Sequence, residues 1–214
     1  MEEEIKKLLL EKLREIYDAD KCALLFSNAF ELLIATMLSA QTTDLQVNKV
    51  TPALFERCPT PEAMLRLTQT ELESIIRSIG FYHTKAKHIL ETCAVLVEKY
   101  NGQVPDIMEE LVSLPGVGRK TANVVLSNAM GQQRIAVDTH VVRVSNRLGL
   151  VHAKDVIAAE NQLMNVIPEE SWSSAHHWLI WHGRRICHAR RPDCDHCPVS
   201  IYCETRRISL GERE

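Results

Sequence analysis

Nothing in these 214 residues approaches the uninterrupted apolar run, about 18–20 residues long, that a membrane-spanning helix needs. The first segment, MEEEIKKLLLEKLREIYDAD, has neither the basic start nor the small-residue cleavage site of an export signal, so the chain is expected in the cytoplasm. Internal repeats, low-complexity linkers and alternating strand patterns are all missing, and RIAV at 134–137 is too short to count as a strand. Net positive charge is missing too. The formal charge of −3 argues, taken alone, against a partner that is a polyanion.

The charge is unevenly spread. Residues 1–20 carry seven acids against four bases, whereas residues 113–154 carry six bases against one acid, Asp138. From Gly183 onward there are seven arginines against five acids. A local positive field in the second half can therefore steer an anionic partner that the net charge would not.

Helical periodicity runs through nearly the whole chain, and the fold is expected to be all-α. Ile5, Leu8, Leu9, Leu13 and Ile16 share one face, and Asn28 with Glu31 forms a capping box before FELLIATMLSA, apolar nearly all round and so central. Thr60-Pro61 supplies an N-cap followed by proline at the first helical position; Thr70 with Glu73 predicts a box opening a helix that runs to Gly80. Ala86, Ile89, Leu90, Cys93, Ala94 and Val97 make a stripe ending near Gly102. Further helices are predicted at 106–113, 119–129, 139–147, 155–166 and 171–182. The composition shift near Gly131 marks a domain boundary, and two helical lobes with a cleft between them suit the length.

Residues 114–125 read LPGVGRKTANVV. Gly116 and Gly118 leave backbone amides bare of side chains, and a helix starts behind them with its positive dipole end on the same side. That is a seat for an anion such as phosphate. A nucleotide-binding P-loop is excluded, since its glycines stand further apart, its lysine follows the second glycine directly, and it follows a strand. Leu111, Leu114 and Val117 anchor the turn, as in a helix–hairpin–helix that grips a DNA backbone without reading sequence. Lys120, beside Arg119 at a helix start, sits in a positive field that favours a neutral, nucleophilic amine. The aldehyde-like C1′ of an abasic sugar is a suitable target for it. The plainer alternative is a solvated lysine on an ordinary helical hairpin.

Asp138, in AVDTHVVRV, has an ordinary role open to it as a helix N-cap. A carboxylate there could also stabilise cationic character at a sugar carbon or relay a proton for Lys120. Both roles are compatible. Downstream, Cys187, Cys194, Cys197 and Cys203 are spaced C-x6-C-x2-C-x5-C. Four thiols within seventeen residues suit tetrahedral zinc or an iron–sulfur cube, and the single C-x2-C unit favours the cube. His188 or His196 could replace one thiolate. Six arginines between 184 and 207, Arg190 and Arg191 among them, make the loop suited to phosphate contact.

Taken together, LPGVGRKTA, VDTH and the cysteine spacing resemble the endonuclease III family of helix–hairpin–helix DNA glycosylases. FELLIATMLSAQTTD, IRSIGFYHTKAKHI and VDTHVVRVSNRLGL extend the resemblance over nearly the whole chain. The resemblance implies a bacterial base-excision enzyme, associated with the nucleoid when bound to DNA and expected to act as a monomer. It would remove oxidised or ring-saturated pyrimidines from duplex DNA and cleave 3′ to the abasic site by β-elimination. It implies a helical barrel at 22–132 and a second domain, 1–21 with 133–214, carrying one 4Fe–4S cluster on the four cysteines. Lys120 would be the Schiff-base nucleophile and Asp138 its partner. Gln41 and the Ile79–Gly80–Phe81 turn would fill the space left by a flipped nucleotide, where the alternatives are a polar helix end for Gln41 and a core position for Phe81. Gly116, Gly118, Arg119, Arg143, Arg190 and Arg191 would contact the backbone. Two other readings remain. One is a non-catalytic helix–hairpin–helix module, which leaves Lys120 and Asp138 unexplained. The other is a superfamily member with a different lesion preference; the adenine-specific type has a catalytic glutamate where this chain has Thr36.

Overall fold

A computed structural model describes residues 2–19 and 21–211. Arg213, part of the basic tail, lies outside the described residues. Among those residues there are twelve α-helices and no strand. They are α1 (Glu3–Tyr17), α2 (Ala29–Ser39), α3 (Asp44–Arg57), α4 (Pro61–Met64), α5 (Gln69–Ile75), α6 (Tyr82–Tyr100), α7 (Met108–Ser113), α8 (Arg119–Met130), α9 (Thr139–Leu148), α10 (Val156–Val166), α11 (Trp172–Arg185) and α12 (Glu204–Ser209). No described helix is long and apolar enough to cross a membrane. The chain divides into two compact units, Cys22–Gln132 and Met1–Lys21 with Gln133–Glu214.

In the unit Cys22–Gln132, α2 is the central helix. Leu32, Leu33, Ile34 and Leu38 are fully buried, and α3, α6 and α8 pack around it. Its start follows from Asn28, whose side chain accepts from the Glu31 amide at 2.9 Å, while the Glu31 carboxylate accepts from the Ser27 amide. The box therefore closes one residue further back than expected. Thr68, not Thr70, caps α5: it accepts from the Glu71 amide and the Glu71 carboxylate accepts from the Thr68 amide. Both threonines have a glutamate three residues on, and the upstream pair wins. That helix ends at Ile75, short of Gly80. Helix α3 went unpredicted, because Pro52 lies inside it and its apolar positions are sparse.

In the other unit, α1 packs on α11, and α9 packs on α10, α11 and α12. Leu9, Leu13, Val141, Val144, Leu148, Leu163, Trp178 and Leu179 form its core. Tyr17, at the end of α1, meets buried His182 of α11, with its hydroxyl 3.0 Å from Nδ1. Burial pushes the His182 imidazole down to about 4, so the ring is neutral at physiological pH. This contact ties the first helix to a region more than 160 residues away in sequence.

Candidate active site

The turn between α7 and α8 is held from below by α6. Leu111, Leu114 and Val117 are buried, and Thr92 Oγ1 donates to the Pro115 carbonyl at 2.7 Å. Gly116 has φ +74°, and a Cβ there would come 2.8 Å from the His88 ring. Glycine is demanded twice over at that position, by backbone and by packing. Gly118 differs. Its φ of −97° is open to any residue, and a Cβ there would meet nothing. It is the N-cap of α8 and offers no capping side chain, so the helix start faces outward bare. Arg119 and Lys120 are both exposed in the first turn.

One face of α6 continues this support. Lys85, His88 and Thr92 follow Phe81 at helical spacing, in steps of four, three and four residues. Lys85 is buried, and its Nζ donates to Leu38 O at 2.8 Å, Ala40 O at 2.6 Å and Thr42 Oγ1 at 3.2 Å. Burial holds its ammonium below the usual lysine range. The residue enclosed by these acceptors is Gln41, exposed and left-handed at φ 54°. Phe81, the N-cap of α6, is also left-handed at φ 57° and is 65% exposed, so it is not a core residue. Non-glycine residues in that region are costly and collect at functional turns. Ile79 does not share this exposure. At 1% exposed its side chain anchors the turn from inside and leaves Phe81 as the side chain the turn presents. A hollow lined by Gln41, Phe81, Lys85, His88 and Gly116 joins the three turns.

In the other unit, Asp138 caps α9. Its Oδ1 accepts from the amides of His140 at 2.8 Å and Val141 at 2.9 Å. Oδ2 lies 3.8 Å from His140 Nδ1 and takes no part in the cap. The same helix holds the cysteine loop. Arg143 donates to the carbonyls of Gly183 and Cys187. Arg147 donates to the carbonyls of His188 at 2.7 Å and Ala189 at 3.0 Å. Arg143, half-buried, is therefore a tether between α9 and the end of α11, because those carbonyls lack helical partners. Arg190 and Arg191 are exposed on the loop, Arg191 with φ 52°.

Cys187, Cys194, Cys197 and Cys203 share one neighbourhood. Burial pushes the Cys197 thiol up to about 11, and the other three cysteines add to that rise. Burial raises Cys203 as well, and its Sγ donates to Arg147 O at 3.2 Å. His182 Nε2 approaches Cys197 Sγ at 3.8 Å. Among the described residues, no three His, Cys, Asp or Glu side chains converge as a single metal ion requires. His196 is turned to Asp193 at 2.9 Å.

Sequence reasoning missed Lys85, His88, Thr92, Arg147 and His182. Only the first three carried a signal, a polar stripe at helical spacing beside the apolar one on α6.

Residues 34–169 match the HhH-GPD superfamily of base excision DNA repair proteins. Endonuclease III of Escherichia coli strain K12 is 48% identical over 196 residues, covering 92% of this chain and 93% of that protein. Endonuclease III of Rickettsia felis is 47% identical over 200 residues, covering 92% and 94%. A solved structure of a trapped covalent endonuclease III–DNA intermediate superposes with a TM-score of 0.93 at 47% identity, covering 98% of this chain and 99% of that one.

The two glycines predict different outcomes. Gly116→Ala is expected to lower unfolding free energy by at least ~1–2 kcal/mol, the ordinary cost of a left-handed alanine, with the His88 clash added. Gly118→Ala is expected to stay within about 0.5 kcal/mol of the parent. Urea unfolding of the two variants side by side measures this, and equal losses would mean that the protein's own packing demands both glycines.

Proposed function

We propose, for a chain that belongs to the HhH-GPD superfamily of base excision DNA repair proteins, that Lys120 and Asp138 carry its chemistry. The protein is a base-excision DNA glycosylase with abasic-site lyase activity, acting on damaged pyrimidines in duplex DNA. The observation that carries the assignment to Lys120 is its position, exposed in the first turn of α8 behind a glycine that the protein's own packing does not require. The bare helix start receives a backbone phosphate, and Arg119 adds charge beside it. The phosphate brings the adjoining sugar within reach of the lysine amine.

The Lys120 amine adds to C1′ as the bond to the damaged base breaks. The electron pair leaves with the base, which takes up a proton, and opening of the sugar ring gives an imine. Loss of a proton from C2′ then expels the 3′ phosphate, and water frees the lysine. Asp138 acts through Oδ2, since Oδ1 is committed to the cap of α9. That oxygen stabilises positive character at C1′ or accepts the proton that Lys120 sheds. Gln41 and Phe81 occupy the space left by the flipped nucleotide. The strained, exposed backbone at both supports that role. Arg190 and Arg191 add phosphate contacts.

Cys187, Cys194, Cys197 and Cys203 would hold a 4Fe–4S cluster. The fit rests on the donor set, four cysteines in one neighbourhood, of which Cys197 is kept from ionising by burial and by the other three, a combination that a cationic centre would relieve. The cluster would supply a rigid cross-link to the loop, and Arg143 and Arg147 pass that rigidity to α9 and so to Asp138.

Reduction of the imine by borohydride tests the chemistry. Wild type is expected to form a stable adduct with abasic DNA, and Lys120→Gln to bind that DNA without forming one. Asp138→Asn should bind and release base more slowly by ~10²-fold or more, the ordinary size of an acid–base or charge-stabilising contribution. A protein that only clamps phosphate would give no adduct even as wild type. For the cluster, metal analysis of anaerobically prepared protein should find about four irons per chain, and Cys194→Ser should reduce soluble yield more than it alters lesion preference. Stoichiometric zinc without iron would contradict it.

A further inference from the structure

We propose that Lys85 is a positioning residue that fixes the Gln41 turn for the nucleotide-flipping step. The proposal rests on the reading of Gln41 as a group that fills the vacated space. Helix α2 ends at Ser39, and its last carbonyls have no helical partners. A buried helix end needs donors, and Lys85 supplies them from α6. Its Nζ reaches Leu38 O, three residues before Gln41, and Ala40 O and Thr42 Oγ1, one on either side of it. Two carbonyls and a hydroxyl take up this nitrogen's hydrogens and any lone pair, so none is left for attack. Lys85 is thus no rival to Lys120 as nucleophile.

The arrangement spans Gln41 like a bracket. Gln41 itself is left exposed and left-handed, a conformation that an unsupported glutamine would leave. Gly80 borders the same turn, with the Gln41 carbonyl and the Thr42 hydroxyl each 3.6 Å from where its Cβ would stand. Lys85 also lies one helical turn after Phe81, the N-cap of α6. One side chain therefore holds the Gln41 turn in register with the helix that bears Phe81. Filling a vacated base position demands that register, because misplacement of about 1 Å in such a step can cost ~10²-fold in rate.

A double-mutant cycle of Lys85→Met with Gln41→Ala separates positioning from general support. Single-turnover base release is measured from a duplex with one thymine glycol, alongside binding to the undamaged duplex. Lys85→Met is expected to slow base release about tenfold while undamaged binding stays within about twofold, since the phosphate seat on α8 is untouched. In the Gln41→Ala background the same substitution should add nothing, because the residue it positions is gone. Multiplying effects, or a Lys85→Met variant at the wild-type rate, overturns the proposal. A Gln41→Ala variant that flips and releases base normally overturns the reading of Gln41 and the proposal together. If Lys85→Met does not fold, Thr42→Val removes one acceptor and keeps the side-chain shape. It is expected to slow release about two- to fivefold, again only when Gln41 is present; equal slowing in both backgrounds overturns the proposal.

Discussion

The face of α6 that carries Lys85, His88 and Thr92 is the constraint on which the unit Cys22–Gln132 depends. Three short turns, each with an exposed or bare group, would be floppy alone. Lys85 holds the turn at Gln41, His88 lies under Gly116, and Thr92 fixes the Pro115 carbonyl. Phe81 begins the same helix. A 19-residue helix rises about 28 Å along one straight axis, so groups attached to it keep their spacing. Positions with little intrinsic stability acquire fixed geometry by attachment to a rigid element.

Helix α9 plays the corresponding part in the other unit. Its first residue is capped by Asp138, and its arginines one turn apart grip the cysteine loop. A capping carboxylate is a rigid carboxylate, with one oxygen spent on the helix and the other outside the cap. Changes in the cysteine loop can therefore be felt at Asp138 through a single helix, without any contact between the thiols and substrate.

The features most legible in the sequence were those written locally. FELLIATMLSA is apolar on every side and is the central helix; the glycines of LPGVG and the Asp of VDTH carry turn and cap chemistry that nearest neighbours decide. Lys85 belongs to a polar stripe on α6 that the sequence does show, but its burial was illegible because a lysine on a helix reads as solvent-facing. Its burial depends on the end of α2, 45 residues away. Arg143 and Ile79 show the opposite failure. A basic residue in a basic stretch reads as a phosphate contact, and its bonds to the carbonyls of Gly183 and Cys187 are not legible there. Ile79 sits in a turn expected to face outward, and the core claims its side chain. Tertiary partners decide such residues, and local pattern cannot name them.

The central claim is that one particular amine, placed by the bare start of α8, forms the bond to the sugar. The most direct measurement is to digest the borohydride-reduced complex with abasic DNA and locate the modification by mass spectrometry. The account predicts the sugar remnant on a peptide at Lys120 and on no other lysine. A remnant on Lys49, on Lys85 or at the N-terminus would contradict it.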